Sequence, residues 1–244
     1  MTTVATGGEM TTWWPYLRIA AALLALAAVI AQLNRSVQNA LDATTEWGGH
    51  LPTVAANFLS FFTIESNILA AIVLLIAAIW ALRHRRTTDA EPRWLAVLLV
   101  CVSTYMIVTG IVYNTLLRNV ELPQGVTVPW SNEVLHVVIP LFLLADVLLA
   151  PRRRALGWST IAVTAIFPLV WAVYTLLRAN LIIAPATGEP YWYPYPFLNP
   201  YSVPGGYLGV SGYIVGIAIA IVGVAALVVW IGRRRGAVPR PVLS

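Results

Sequence analysis

Apolar residues in this chain of 244 residues come in long runs, not in the short alternations or one-sided stripes of a soluble domain. Six runs reach the ~20 residues that a helix needs to cross a hydrocarbon core: 14–33, 55–82, 94–117, 134–150, 157–177 and 210–231. The pattern predicts an all-α polytopic membrane protein, a single domain over residues 1–244 with each run one continuous transmembrane helix. The fourth run is the shortest, and Ser131, Asn132 and Glu133 offer its helix an outward extension. The stretch before Trp13 has no basic region and no small-residue cleavage site, so the first run is expected to stay as a span.

Composition agrees with the pattern. Hydrophobic residues make up 59% of the chain and charged residues 10%, against roughly 25% charged in a soluble domain. All 15 basic residues are arginines, and they alternate between connections. Arg18, the segment 83–93, the segment 151–154 and the tail 232–244 hold 12 of them, whereas the loops 34–54, 118–133 and 178–209 hold only Arg35, Arg118 and Arg178. The positive-inside rule then predicts that both termini are cytoplasmic and that those three loops lie outside. The net charge of +5 is thus a topology signal, and nucleic acid is not an expected partner; the lipid bilayer is. Trp13, Trp14, Trp94, Trp130, Trp158 and Trp230 fall at span ends, as interfacial anchors do. Cys101 is the single cysteine, no Cys/His group has zinc-ligand spacing, and neither a metal nor another cofactor is expected.

Polar residues inside the spans gather at one depth. The second run contains "FFTIESN", which puts Thr63, Glu65, Ser66 and Asn67 within apolar surroundings. Thr63 lies roughly 12 Å of helix below Ala55, and His136 roughly 8 Å below Ser131, so the two can face one another in the outer half of the bundle. The third span leaves through Tyr113 and Asn114, and the fifth through Tyr174. Thr63, Ser66, Asn67 and Ala70 share a helix face, from which Glu65 points away; Arg118 or Arg178 is its expected partner. Glu133, His136 and Pro140 share a face of the fourth span, and Asp146 lies near its inner end, within reach of Arg152–Arg154. Structural roles are open to the same residues: a membrane threonine commonly bonds its own i−4 carbonyl, and Ser or Asn holds helices together. An ionisable residue inside a span, such as His136, points to function. The outer loop 178–209 carries "EPYWYPYPFLNPYSVPGGYLG" and is long for a bare connection, which suggests a lid or a binding element. "VYNTLLRN" (112–119) and "VYTLLRAN" (173–180) echo one another, as repeated helical hairpins would.

"FFTIESN", "LHVVIPLFLLADVLL" and "WYPYPFLNP", in this order along the chain, resemble the family of the androgen-induced protein, the androgen-dependent TFPI-regulating protein and their bacterial six-pass relatives. The resemblance covers essentially the whole chain and is nearest to the bacterial branch, which implies a bacterial plasma-membrane location. Animal members are threonine hydrolases that cleave fatty acid esters of hydroxy fatty acids. The resemblance implies Thr63 as nucleophile and His136 as its partner; the bacterial relatives commonly carry an acid where this chain has Asn199, which puts that position's role in doubt. A threonine hydroxyl needs a base, and His136 is suited to that task. Asn67 is the first expected oxyanion donor, followed by Ser66 and Tyr113, while Glu133 is expected to orient the imidazole. Asn114, Tyr174, Tyr195 and Asn199 complete the expected supporting set. The expected substrate is a lipid ester. Two other classes stay open: a non-catalytic lipid-binding or sensing protein, and a small-solute transporter, against which the uninterrupted second and fourth runs count.

Overall fold

The computed structural model describes residues 7–120 and 127–236; the middle of the loop 118–133 and the last residues of the basic tail lie outside the described residues. Every element in it is helical: α1 (Gly7–Leu41), α2 (Leu51–Leu59), α3 (Phe62–Arg83), α4 (Arg93–Val112), α5 (Pro129–Glu133), α6 (Ile139–Leu149), α7 (Thr160–Ala179) and α8 (Tyr207–Gly236). Among the described residues, six helical stretches are long and apolar enough to cross a membrane: Thr12–Leu41, Phe62–Arg83, Arg93–Leu117, Pro129–Leu149, Thr160–Ala179 and Tyr207–Gly236. By the length and apolarity of these stretches the chain is a multi-pass membrane protein, and the start of α1 and the finish of α8 meet the same end of α6, through Trp14 on Asp146 and Arg235 on Val147.

The second and fourth spans are not the continuous helices that their apolar runs predict. Helix stops at Leu59 and restarts at Phe62, with Phe61 in extended geometry (φ −73°, ψ 125°). No glycine or proline marks the site; side chains hold the break open. Ser60 Oγ donates to Ala56 O at 2.7 Å, and Trp171 Nε1 on α7 donates to Ser60 O at 3.0 Å, so the polar groups freed inside the bundle are satisfied. Thr63 consequently sits in the first turn of α3, not in mid-helix. In the fourth span, Pro140 has no N–H and its ring pushes away the carbonyl four residues back, at His136. The chain relieves this with a π-helical turn over Val134–Val138, in which Ile139 N–H reaches Val134 O, a distortion frequent at functional sites. A second π turn, Tyr113–Leu117, ends α4, with Arg118 N–H on Tyr113 O at 2.8 Å. The absence of interruptions that counted against a transporter therefore does not hold.

Small residues set the packing. Ala21, Ala22, Ala25 and Ala28 of α1 meet Ala70, Ala71 and Ala77 of α3 in one buried cluster, as close-packed membrane helices require. Helix α4 runs through the centre, whereas α7 and α8 stand at the edge with faces such as Leu169, Val170, Ile219 and Val222 exposed. Gly110 on α4 lies against the Pro140 turn: a Cβ there would come within 2.8 Å of Pro140 Cβ and 3.4 Å of His136 O. Gly110→Ala is expected to cost about 1–3 kcal/mol, read as a lower melting temperature in detergent; an unchanged melting temperature would show that the turn is free to move.

At the end of the bundle opposite the outer loop, Asp146 is fully buried. It accepts hydrogen bonds from Trp14 Nε1 at 2.7 Å, Arg18 Nε at 2.8 Å and Arg153 at 2.8 Å. The sequence pointed to the arginines after the span, and one of these, Arg153, is a partner; Arg18 across the bundle is the other.

Candidate active site

The break before α3 and the π turn before α6 bring their side chains together. Thr63 Oγ lies 3.2 Å from His136 Nε2 and 3.2 Å from the Tyr195 hydroxyl, which also accepts Thr63 N–H at 3.2 Å. The proton positions follow from one acceptor. His136 Nδ1 is 2.9 Å from Asn132 O, and a carbonyl only accepts, so Nδ1 carries the hydrogen and the neutral ring presents a lone pair at Nε2. Thr63 O–H then donates to Nε2, and Tyr195 O–H donates to Thr63 Oγ. The imidazole is held flat by Tyr113, which stacks on it with centroids 3.9 Å apart and 23° between planes. The Tyr113 hydroxyl is in turn fixed by Asn132 Nδ2.

Several expected roles differ. Asn67 Nδ2 donates to Thr63 O at 2.8 Å and Leu135 O at 3.3 Å, and Ser66 Oγ donates to Thr63 O at 3.2 Å. Both side chains are fully buried and clamp the first turn of α3; neither offers its hydrogen to an oxyanion. Glu133 does not reach the imidazole: Arg118 binds both its oxygens at 3.0 Å, and a backbone carbonyl does the orienting instead. Glu65 meets neither expected arginine, since Arg118 is held by Glu133 and Arg178 donates to Asn57 Oδ1 at 2.8 Å. Asn114 Nδ2 donates to Gly110 O at 2.7 Å and weakly to His136 O at 3.4 Å, supporting the carbonyl that Pro140 displaces. Tyr174 lies at the helix break, 3.1 Å from Ser60 Oγ. Asn199 shapes a turn, accepting Tyr201 N–H at 3.0 Å and donating to Ser202 Oγ.

The aromatic loop packs down as a cap. Tyr193, Tyr195, Phe197 and Leu198 are buried against Tyr113, Leu117 and Val210, and Phe61 meets Trp192 and Tyr195 edge to face. Burial pushes the Tyr195 hydroxyl up to about 12, with its Thr63 hydrogen bonds acting the other way. The phenol is therefore a neutral donor throughout the working pH range.

Thr63 forms part of the wall of a cavity of about 300 Å³ between α4, α7, α8 and the cap. The walls are apolar apart from a few groups, and they include Leu169 and Val222, 58% and 47% exposed, so the cavity reaches the bundle surface between α7 and α8. Thr109 Oγ, which the sequence reading missed, also faces it and is buried without a hydrogen-bond partner among the described residues. Its signal was faint, a lone hydroxyl one turn before Tyr113. No group of residues able to hold a metal occurs among the described residues.

The fold and site together define a six-span membrane protein with an imidazole–hydroxyl–phenol chain, His136–Thr63–Tyr195, whose last two members lie at the wall of a largely apolar cavity. Comparison with protein-family models, with characterised proteins and with solved structures finds no match in any of the three.

Proposed function

We propose that this chain is an integral-membrane hydrolase of lipid esters, with Thr63 as nucleophile and His136 as general base. The observation that carries the reading is the 3.2 Å approach of Thr63 Oγ to a His136 Nε2 whose tautomer is set by Asn132 O, with Thr63 at the wall of a largely apolar cavity that reaches the bundle surface between α7 and α8. Thr63 Oγ bonds to the ester carbonyl carbon as Nε2 takes its proton. The tetrahedral oxyanion is met by Tyr195 O–H, swinging from Thr63 Oγ, and by Thr63 N–H at the start of α3, where the helix dipole adds to the donor. Collapse breaks the C–O bond to the alcohol, which leaves with the proton from Nε2–H. Water, deprotonated by the same nitrogen, then attacks the acyl-threonine, and the carboxylic acid departs as Thr63 Oγ recovers its hydrogen. The resemblance to the threonine-hydrolase family supports the same assignment, as it does a place in a bacterial plasma membrane. The arginine distribution supports cytoplasmic termini, with the site in the outer half.

Purified protein in detergent, offered a long-chain nitrophenyl ester and a fluorescent fluorophosphonate, tests the reading: ester turnover and covalent labelling are expected, and the absence of both rejects it. Tyr195→Phe keeps the packing and removes one oxyanion donor, so kcat is expected to fall roughly 10²–10³-fold with KM little changed. The pH–rate profile should show no limb from Tyr195 near neutrality. Unchanged kcat in Tyr195→Phe would move the donor elsewhere. A second reading, a lipid binder without chemistry, draws on the largely apolar cavity walls; it predicts ester retention without turnover by the native chain.

A further inference from the structure

The arginine-rich end of the bundle holds a second cavity, of about 390 Å³, for which the hydrolase reading has no use. Its walls come from three separate connections: Ala90 before α4, Arg152–Arg154 and Ala155 between α6 and α7, and Arg235 at the end of α8. Four guanidinium groups thus converge from segments that the fold brings together.

Asp146 and Glu91 do not balance Arg153, Arg154 and Arg235. Asp146 is bound to Arg18 and Arg153. Glu91 is buried, which pushes its carboxyl above the ordinary range while Arg153 and Arg18 pull it back, and its own hydrogen bond, from Arg154 N–H, is long at 3.4 Å. Arg154 Nε donates to Glu91 O at 2.6 Å, and Arg235 donates to Val147 O and Ala150 O, each at 2.8 Å. Those acceptors are neutral carbonyls, so both cations keep their charge. Arg153 Nε is buried with no hydrogen-bond partner among the described residues, a costly state for a charged donor that an anion in the cavity would relieve.

Depth narrows the anion. Trp94, Trp158 and Trp230 are exposed around this end, with Arg233 over Trp158 at 5.5 Å and Arg234 over Trp230 at 5.3 Å. Exposed tryptophans mark the headgroup level of a bilayer, and the fork of an arginine matches phosphate oxygens. We propose that the cavity binds a phosphate anion, supplied by the headgroup of an anionic phospholipid. Basic pockets between membrane helices take such headgroups elsewhere. Because Arg153 joins the cavity to the Asp146 cluster, occupancy stabilises the whole bundle. The site lies at the opposite end from Thr63 and does not depend on hydrolase activity.

The test is the melting temperature of the purified full chain in a neutral detergent, titrated with dioleoylphosphatidylglycerol, dioleoylphosphatidylcholine or inorganic phosphate. The phosphatidylglycerol is expected to raise the melting temperature in a saturable way, and the phosphatidylcholine to leave it unchanged. Saturable stabilisation by inorganic phosphate alone, with the lipid no better, retains the anion site and identifies a soluble source. Ala155 is an exposed residue of the cavity wall; Ala155→Asp places a carboxylate there and should weaken the lipid response about fivefold or more, whereas Ala155→Ser should keep it. Arg154→Gln should act in the same direction as Ala155→Asp. Equal responses to the two lipids, or an undiminished response in Ala155→Asp, would overturn the proposal.

Discussion

Thr63→Ala is expected to abolish both ester cleavage and fluorophosphonate labelling while leaving the protein folded. Thr63 Oγ is the hydroxyl hydrogen-bonded to His136 Nε2, and alanine leaves that nitrogen without a nucleophile to activate. The fold should survive because the clamps on this turn hold its backbone: Asn67 and Ser66 bind the residue 63 carbonyl, and Tyr195 binds its N–H. The loss is then two side-chain hydrogen bonds, to His136 and from Tyr195, about 1 kcal/mol each. His136→Gln keeps a polar group against Tyr113 but cannot take the proton, so turnover should fall roughly 10²–10⁴-fold. Groups acting as one unit are not additive; the double variant should be no slower than Thr63→Ala alone. Thr63→Ser should keep measurable activity, since its hydroxyl occupies the same place. Normal labelling of Thr63→Ala and His136→Gln, with melting temperatures near that of the native chain, would reject the mechanism.

Span number and the shared depth of Thr63 and His136 were legible because both depend on one-dimensional quantities: the length of apolar runs and the rise of a helix. Counting residues inward from Ala55 and Ser131 was enough to place Thr63 and His136 at comparable depth. Hydrogen-bond partners depend on where helices stop being regular, and that was only partly written in the sequence. The break at Ser60–Phe61 has no proline or glycine; it depends on Trp171 arriving from α7, a contact between residues far apart in the chain. The π turn at Val134–Val138 did have a signal, because Pro140 lies four residues beyond His136 and must displace its carbonyl. A regular helix there would carry Glu133 toward the imidazole. Arg118 takes Glu133 instead, which the alternation of charges between loops did not disclose. Tyr195 stands in the expected supporting set without a role of its own. Its hydroxyl reaches Thr63 because Phe61, Trp192 and Phe197 seat the loop, and composition alone does not rank one tyrosine above its neighbours.

Asp146→Ala is expected to be among the most destabilising single changes in the chain. Its carboxylate is fully buried and binds Arg18 through both oxygens, at 2.8 and 3.1 Å, together with Arg153 and Trp14. Removing it leaves Arg18, itself 3% exposed, and Arg153 as neighbouring cations with little water to solvate them. Breaking a buried ion pair from one side costs about 3–5 kcal/mol, most of it the energy of the stranded charge and not the intrinsic strength of the pair. That distinction has its own consequence. Arg18→Met and Arg153→Met combined with Asp146→Leu removes all three charges and should recover much of the stability that Asp146→Ala loses. Melting curves in detergent for the single, double and triple variants measure the coupling, and the triple variant should be the more stable of the two extremes. If Asp146→Ala melts with the native chain, water reaches the arginines and the cluster is not a dry clamp. If the triple variant is the worst of the set, the charges contribute more than their mutual neutralisation, and the joining of α1 to α6 rests on their directional hydrogen bonds.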